Sequence, residues 1–300
     1  MIDEPTIHAL LSQARSYAAD EKYLHAIQVY RRVTRLAPRV EQAWVELAHV
    51  YLHLKQRVPA ERALQGALAV ARQPAQILFL LGSLHREAGD TYEALKYLRR
   101  LLEIEATLPV NLKAQLHFDL GLLYRDRMNS RVAEYHLRTA HRLDPNFPRS
   151  GEALAELLLR RGAANEAIRF LHRSLKAEPY SWEGHYLLGK ALTRKGEWEH
   201  ALEEFIASVE MDPDDPRGWH MCGSTLLALQ RLDESERYLR KAIDLQPAMT
   251  DALADLGIVL MRRGTLEEAQ DLFRRALQQV PDHRTARDGQ RELNRLRKAQ

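Results

Sequence analysis

The chain has 300 residues, of which 45% are hydrophobic and 28% charged, and its formal net charge is +3. This composition is typical of a folded, water-soluble protein, and the low content of glycine (14) and proline (12) argues against disorder or a loop-rich β fold. The only cysteine is Cys222, so the sequence excludes an internal disulfide and a cysteine-based metal or redox centre.

Residues 1–6 are predicted to be a short lead-in segment. They contain two acidic residues and a proline, whereas a secretory signal would need a basic start followed by an apolar run. No stretch approaches the roughly 18 to 20 apolar residues of a membrane span. We therefore expect a cytoplasmic protein that does not insert into a membrane.

The rest of the chain follows a period of 34 residues, which indicates a repeat array. A small residue, a large residue one turn later, a second small residue and a terminal proline recur in this period. The pattern predicts eight repeats with a five-residue insertion at 109–113. Their boundaries are 7–40, 41–74, 75–108, 114–147, 148–181, 182–215, 216–249 and 250–283.

Each repeat is predicted to be a pair of helices. Gly89, Gly162, Gly196 and Gly264 stand where the first helix should end, a position that glycine favours. A proline stands where the second helix should stop, because proline lacks the N–H that the helix needs. The prolines that mark the period are Pro145, Pro179, Pro213, Pro247 and Pro281.

Two segments depart from the regular period. The insertion 109–113 is expected either to lengthen a helix or to reset the winding of the array, without forming a flexible linker. Residues 284–300 carry an excess of four positive charges and an apolar stripe of Ala286, Gly289, Leu293 and Leu296. This segment is predicted to be a capping helix that covers the last repeat, and a basic binding helix is the alternative.

The pattern resembles the tetratricopeptide repeat, whose signature is W-x2-L-G-x2-Y, then A-x3-F, then P. The small residues of the first helix include Gly82, Gly189 and Gly257, and the large residues of the second include Phe205 and Phe273. The resemblance covers residues 7–283, almost the whole chain. It implies an all-α fold, a right-handed superhelical solenoid of antiparallel helix pairs.

In arrays of this kind the first helices line a concave groove that binds other proteins. The resemblance places two rows of side chains there, and apolar residues in these rows predict a partner-binding surface, because exposed apolar patches usually mark interfaces. Local packing within the groove wall is the alternative. The candidate partner-binding residues are Val45, His49, Phe79, Leu80, Phe118, Tyr186, Leu187 and Met221.

Arginines recur at the end of the first helix and would form a row along the groove if the repeats stack. Cations favour helix C-termini for reasons unrelated to binding, so a purely structural role is the competing interpretation. If the row does bind, its partner has acidic flanks. Nucleic acid is not expected, since the body outside the basic tail is near neutral. The candidate residues are Arg86, Arg125, Arg160, Arg194 and Arg262.

No catalytic, cofactor or metal site is predicted. The segment 184–191 nearly matches a phosphate-binding loop but ends in Ala191, so the hydroxyl that would bind magnesium is missing. Glu46, His49 and His53 share one helix face, but such a group arises by chance among 13 histidines. Cys222 is interpreted as a small buried hydrophobic residue.

The sequence therefore predicts a non-catalytic scaffold or adaptor that binds a protein or peptide segment in its concave groove. Two alternatives remain open. One is an assembly chaperone for a larger complex, with complexes at a membrane included. The other is a scaffold that self-assembles into a homo-oligomer through its N-terminal end.

Overall fold

The computed structural model describes residues 4–299, except for the side chains of Pro148, Lys298 and Ala299. The chain divides into two compact units, Met1–Asp144 and Pro145–Gln300. This division falls three residues before the end of the fourth predicted repeat, 114–147, rather than at the insertion 109–113. Within residues 4–299 the regular structure is entirely helical, as the sequence predicts.

The first unit contains four helix pairs and a short 3-10 helix, Glu105–Thr107. The helices are α1 (Glu4–Ala19), α2 (Tyr23–Leu36), α3 (Glu41–His53), α4 (Arg57–Val70), α5 (Ala75–Glu87), α6 (Thr91–Glu103), α7 (Val110–Asp126) and α8 (Ser130–Leu143).

The second unit contains four more pairs and a final single helix. These are α9 (Pro148–Arg160), α10 (Ala164–Ala177), α11 (Trp182–Lys195), α12 (Trp198–Met211), α13 (Pro216–Ala228), α14 (Leu232–Leu245), α15 (Thr250–Arg262), α16 (Leu266–Gln279) and α17 (Arg284–Ala299). None of the helices in residues 4–299 combines the length and the apolar character needed to cross a membrane.

Every first helix is followed, within two residues of its end, by a residue in the left-handed conformation, and these residues repeat with the predicted period. Glycine occupies four of the eight turns, as the sequence predicts, and the backbone N–H that follows each one bonds back to the helix, as in a Schellman cap. The other four turns use residues with side chains, which the sequence did not reveal. The φ angles lie between 57° and 85° at Glu21, Lys55, Gly89, Met128, Gly162, Gly196, Gln230 and Gly264.

The small residues of the first helices allow close packing against the second helices, as predicted. An added Cβ at Gly189 would lie 2.6 Å from the ring of Phe205, and one at Gly257 would lie 2.6 Å from the ring of Phe273. Both phenylalanines are fully buried. Any larger side chain would therefore push the two helices of the pair apart.

A side chain at the fourth position of several first helices, and of the final helix α17, joins the preceding loop to the helix. Its N–H donates to the carbonyl of the proline six residues earlier. This proline-carbonyl contact measures 2.9 Å for Trp44 and Pro38, 3.0 Å for His185 and Pro179, 2.8 Å for Trp219 and Pro213, and 2.9 Å for Arg287 and Pro281.

The two irregular segments form helix. Residues 110–113 of the insertion make the first turn of α7, which has 17 residues, so the insertion lengthens a helix. The segment 284–299 forms α17, which packs against α15 and α16. Ala286, Gly289 and Leu293 are buried there, while Leu296 is 40% exposed. This is the position expected of a capping helix.

Within each unit some first helices of successive repeats contact one another: α5 contacts α7, α9 contacts α11, and α13 contacts α15. The second helices contact mainly their own first helix and the first helix of the next repeat. The first helices therefore form an inner layer, and this layer positions the candidate binding residues.

Candidate partner-binding surface

In the second unit, α11 and α13 bring aromatic rings and cations together on the inner layer. Lys190 follows Tyr186 by one turn, and its Nζ lies 5.2 Å from the centre of the Tyr186 ring. The guanidinium of Arg217 lies 5.7 Å from the same ring and 5.0 Å from the ring of Trp182. At these distances the face of an aromatic ring attracts a cation. We call Trp182, Tyr186, Lys190, Arg194 and Arg217 the aromatic–basic cluster.

Local sequence holds this cluster in place. The hydroxyl of Ser181 accepts a hydrogen bond from the backbone N–H of Gly184 at 3.0 Å and so caps the start of α11. Asp215 caps α13 by accepting from the backbone N–H of Arg217 at 2.9 Å, and its carboxylate also pairs with the guanidinium of Arg217 at 2.6 Å. A cation is unfavourable at a helix N-terminus, so the carboxylate makes the position of Arg217 tolerable.

Lys190 is a cation whose charged form the surroundings disfavour. Burial lowers its pKa, the nearby Arg194, Arg160 and Arg217 lower it further, and Glu156 opposes the shift. No carboxylate within the described residues lies close enough to form an ion pair with its ammonium group. A half-buried cation among other cations is unfavourable in the free protein, and a bound anion would relieve this cost.

The neighbouring groups are only partly compensated. Arg160 pairs with Glu156 at 2.8 Å, and Arg194 donates to the backbone carbonyl of Leu159. Burial also raises the pKa of Tyr186, so its hydroxyl remains a neutral hydrogen-bond donor. The cluster therefore offers a hydroxyl donor, two aromatic faces and an excess of positive charge.

The structure brings together three of the predicted residues of the second unit: Tyr186, Arg160 and Arg194. Met221 is half-buried on α13. Leu187 is only 5% exposed, so the expectation that it lies on an open surface is wrong. Arg262 is exposed, but it lines a separate cavity between α15 and α17.

In the first unit, Val45, Phe79 and Leu80 are half-buried and His49 is exposed. Phe118 is only 4% exposed, so the expected exposed patch around it is wrong. The first helices of neighbouring repeats contact each other, and this packing covers side chains such as Phe118 and Leu187 that a single helix would leave open. Whether the remaining residues bind a partner stays a prediction.

Several polar side chains on this layer of the first unit already have partners. Arg86 pairs with Asp119 at 3.1 Å, and Arg125 lies 3.2 Å from Asp126. Glu46, which shares a helix face with His49 and His53, accepts from Arg15 at 2.8 Å. At these positions the arginines form contacts within the protein. Binding of an acidic partner by the arginine row is therefore proposed for the second unit only.

Sequence reasoning missed Lys190 and Arg217 as site residues. Each lies on the same face of its first helix as the predicted rows. Lys190 follows Tyr186 by four residues, and Arg217 is the second residue of the next repeat. A search for cations beside an exposed aromatic residue on that face would have found them.

Two other features were considered as possible sites in the sequence: groups of metal-binding residues and the cysteine. No group of three or more His, Cys, Asp or Glu residues in 4–299 is placed to hold a metal ion. Cys222 is fully buried, and burial raises the pKa of its thiol to about 12, as fits a packing residue.

Comparison with known families agrees with the repeat geometry. Three tetratricopeptide repeat family models match residues 75–107, 158–224 and 221–284, which together include more than half of the chain. The chain belongs to the tetratricopeptide repeat (TPR) family. No curated protein matches it significantly in sequence.

Solved TPR structures share the fold. One is "MamA 41-end from Desulfovibrio magneticus RS-1", which is 22% identical with a TM-score of 0.52 and covers 57% of this chain and 97% of that one. Another is YrrB, described as "a TPR protein with an unusual peptide-binding site", which is 20% identical with a TM-score of 0.51 and covers 59% of this chain and 92% of that one. TPR arrays are surfaces for binding other proteins, so family and fold support a role as a protein-interaction scaffold.

Proposed function

We propose that this TPR protein is a non-catalytic scaffold that holds an acidic segment of a partner protein against the inner layer of its second unit. The observation that carries the proposal is the half-buried Lys190, which lies beside Tyr186 and among arginines without a carboxylate of its own. The peptide-binding site in the name of YrrB supports a peptide as the kind of ligand.

The chemistry of the cluster defines the segment. A partner carboxylate that contacts Lys190 would replace lost hydration with a charge-assisted hydrogen bond. An aromatic or aliphatic residue beside that carboxylate could pack on the rings of Tyr186 and Trp182. We therefore expect a segment in which Asp or Glu alternates with apolar residues.

Charge balance also favours an acidic ligand over a basic one. Lys190, Arg194 and Arg217 contribute three positive charges, and only the carboxylate of Asp215 pairs directly with one of them. A basic segment would add repulsion to a site that already disfavours its own lysine.

Selection from a displayed library of random peptides tests this function directly. The purified chain is the bait, and the affinity of the selected peptides is then measured by fluorescence anisotropy. We compare wild type with Lys190→Gln, and with Lys241→Gln as the matched control, because Lys241 is exposed on the second helix α14.

We expect acidic and apolar peptides to be enriched, and we expect Lys190→Gln to weaken their binding about 10- to 100-fold, since a hydrogen bond to a charged group is worth about 1.5–3 kcal/mol. Lys241→Gln should bind like wild type. Because Lys190→Gln removes a half-buried charge, its thermal stability should not fall, which separates lost binding from lost folding. Failure to enrich any peptide class, or equal binding by both variants, would refute the proposal.

A further inference from the structure

A cavity of about 450 Å³ opens between α2, α3 and α4 of the first unit. Trp44, Leu47 and Tyr51 of α3 contribute its largely apolar lining, and the exposed guanidinium groups of Arg31, Arg35 and Arg62 come from the two flanking second helices. The volume falls within the range of small-ligand sites. No acidic residue is among the residues that line it.

The three arginines lack acidic partners. Within residues 4–299, no carboxylate lies within ion-pair distance of Arg31, Arg35 or Arg62. The guanidinium of Arg31 lies 5.8 Å from the centre of the Tyr51 ring, and Nε of Arg35 donates to the backbone carbonyl of Arg31 at 3.2 Å. Both are therefore held near the opening of the cavity with N–H groups to spare.

The hydroxyl of Tyr51 is the second, independent indication of a ligand. Tyr51 is only 4% exposed and lines the cavity, yet its hydroxyl has no hydrogen-bond partner among the described residues. Most buried polar atoms in folded proteins are paired, because an unpaired one lowers stability. The hydroxyl oxygen is enclosed by protein atoms in the free chain. A small shift of the Tyr51 side chain toward the cavity would let a ligand oxygen accept the hydrogen bond that the protein itself does not supply.

Another repeat shows that the fold does not require these residues. Trp219 makes the same proline-carbonyl contact as Trp44 and lies 175 residues later, at the equivalent position. At the same spacing of 175 residues, Ile206 replaces Arg31, Glu210 replaces Arg35 and Leu226 replaces Tyr51. The repeat thus folds with an apolar residue and an acid in place of two of the cations, and without the buried hydroxyl.

We propose that this cavity, the Arg31–Tyr51 cavity, binds an oxyanion carried on an apolar group. The arginines and the hydroxyl of Tyr51 would donate to the carboxylate or phosphate oxygens, and the apolar group would rest against Trp44 and Leu47. Planar guanidinium groups suit both kinds of oxyanion. The site is separate from the aromatic–basic cluster and does not depend on the function proposed for it.

Three small probes distinguish the sources of the oxyanion: phenyl phosphate, 3-phenylpropionate and its neutral isostere 3-phenylpropanamide. Each is titrated into the full-length, nitrogen-15-labelled chain, and the indole N–H signal of Trp44 is followed by NMR. The indole of Trp219 is the internal control, since it donates to the equivalent proline carbonyl but lies where two of the three cations are missing.

We expect saturable shifts of the Trp44 signal with one or both anions, and none at the same concentration with the amide. The tighter anion identifies phosphate or carboxylate as the natural group. Arg35→Glu, which introduces the acid found at the equivalent position 210, should weaken binding at least tenfold. Raising the salt concentration from low to high should weaken it as well.

Tyr51→Phe tests the hydroxyl without endangering the fold. We expect it to weaken anion binding about three- to tenfold and to leave the midpoint of thermal unfolding unchanged or higher, because an unpaired buried hydroxyl is removed. The proposal is wrong if the amide shifts Trp44 as much as the anions do, if Trp219 responds equally, or if neither variant alters the affinity.

Discussion

Acidification should selectively weaken the last helix pair of the first unit through His136. Its Nδ1 lies 2.8 Å from Nδ1 of His117, and Nε2 of His117 lies 3.1 Å from the carboxylate of Glu105. Since a carboxylate only accepts, His117 carries its proton on Nε2, and the Nδ1–H of His136 donates to the other ring. The His136 ring also stacks on Tyr124, with a centroid distance of 5.6 Å.

The magnitude follows from the pKa of His136, which burial, with a further contribution from His117, lowers from 6.5 to about 4. Because the folded pKa lies below the unfolded one, the unfolded state binds more protons between these values, and stability falls as the pH drops through that window. At pH 4.5 the difference corresponds to about 2.5 kcal/mol, at about 1.4 kcal/mol per pKa unit. Solvent screening reduces the expected loss to about 1.5–2.5 kcal/mol.

Amide hydrogen exchange of α7 and α8, followed by mass spectrometry at pH 7.5 and 4.5, measures this local stability. His136→Gln keeps an N–H donor but cannot titrate, so it should lose about 2 kcal/mol less than wild type on acidification. His172→Gln, on the exposed side of α10, is the control and should behave like wild type. If wild type and His136→Gln lose the same stability, His136 takes up its proton freely in the folded state and the reasoning fails.

Three further results are expected. Gln230→Gly should stabilise its repeat by about 0.5 kcal/mol, because glycine adopts the left-handed conformation without strain, whereas Gly264→Ala at the equivalent turn should destabilise its repeat by about 1 kcal/mol. Denaturant titration measures both free energies of unfolding. Equal effects of the two substitutions would contradict the left-handed conformation of these turns. Gly189→Val should cost about 1–3 kcal/mol in the same assay, because its side chain meets the buried ring of Phe205; an unchanged midpoint would show that the pair can relax. Cys222 should react with an alkylating reagent about a thousandfold more slowly in the folded chain than in urea, since its thiol is buried; similar rates would show that the helix pair opens readily.

The repeat architecture was predictable because its determinants lie close together in the sequence. The glycine at Gly89 ends a helix by its own backbone preference, and the spacing from Gly189 to Phe205 lies within one hairpin. The sequence does not indicate the left-handed turn at Met128, because the helices on either side impose this conformation and methionine itself does not favour it.

The candidate site was less predictable, because it depends on how successive first helices approach one another. The row position of Phe118 is the same as that of Tyr186, yet one side chain is buried and the other half-buried. The contact of Arg217 with Tyr186 joins two repeats, and its pairing with Asp215 decides where the guanidinium points. The sequence period shows which residues share a row. It does not show which side chains of that row are buried by contacts between neighbouring repeats.

The proline-carbonyl contact bears on how these repeats can diverge in evolution. The same carbonyl accepts from an indole at Trp44, an imidazole at His185 and a guanidinium at Arg287. What the position requires is an N–H at the right reach, not an aromatic ring. Substitutions among Trp, His and Arg therefore preserve the proline-carbonyl contact, although they remove the tryptophan that is typical of the family. Phe or Leu would keep the apolar character but lose this contact.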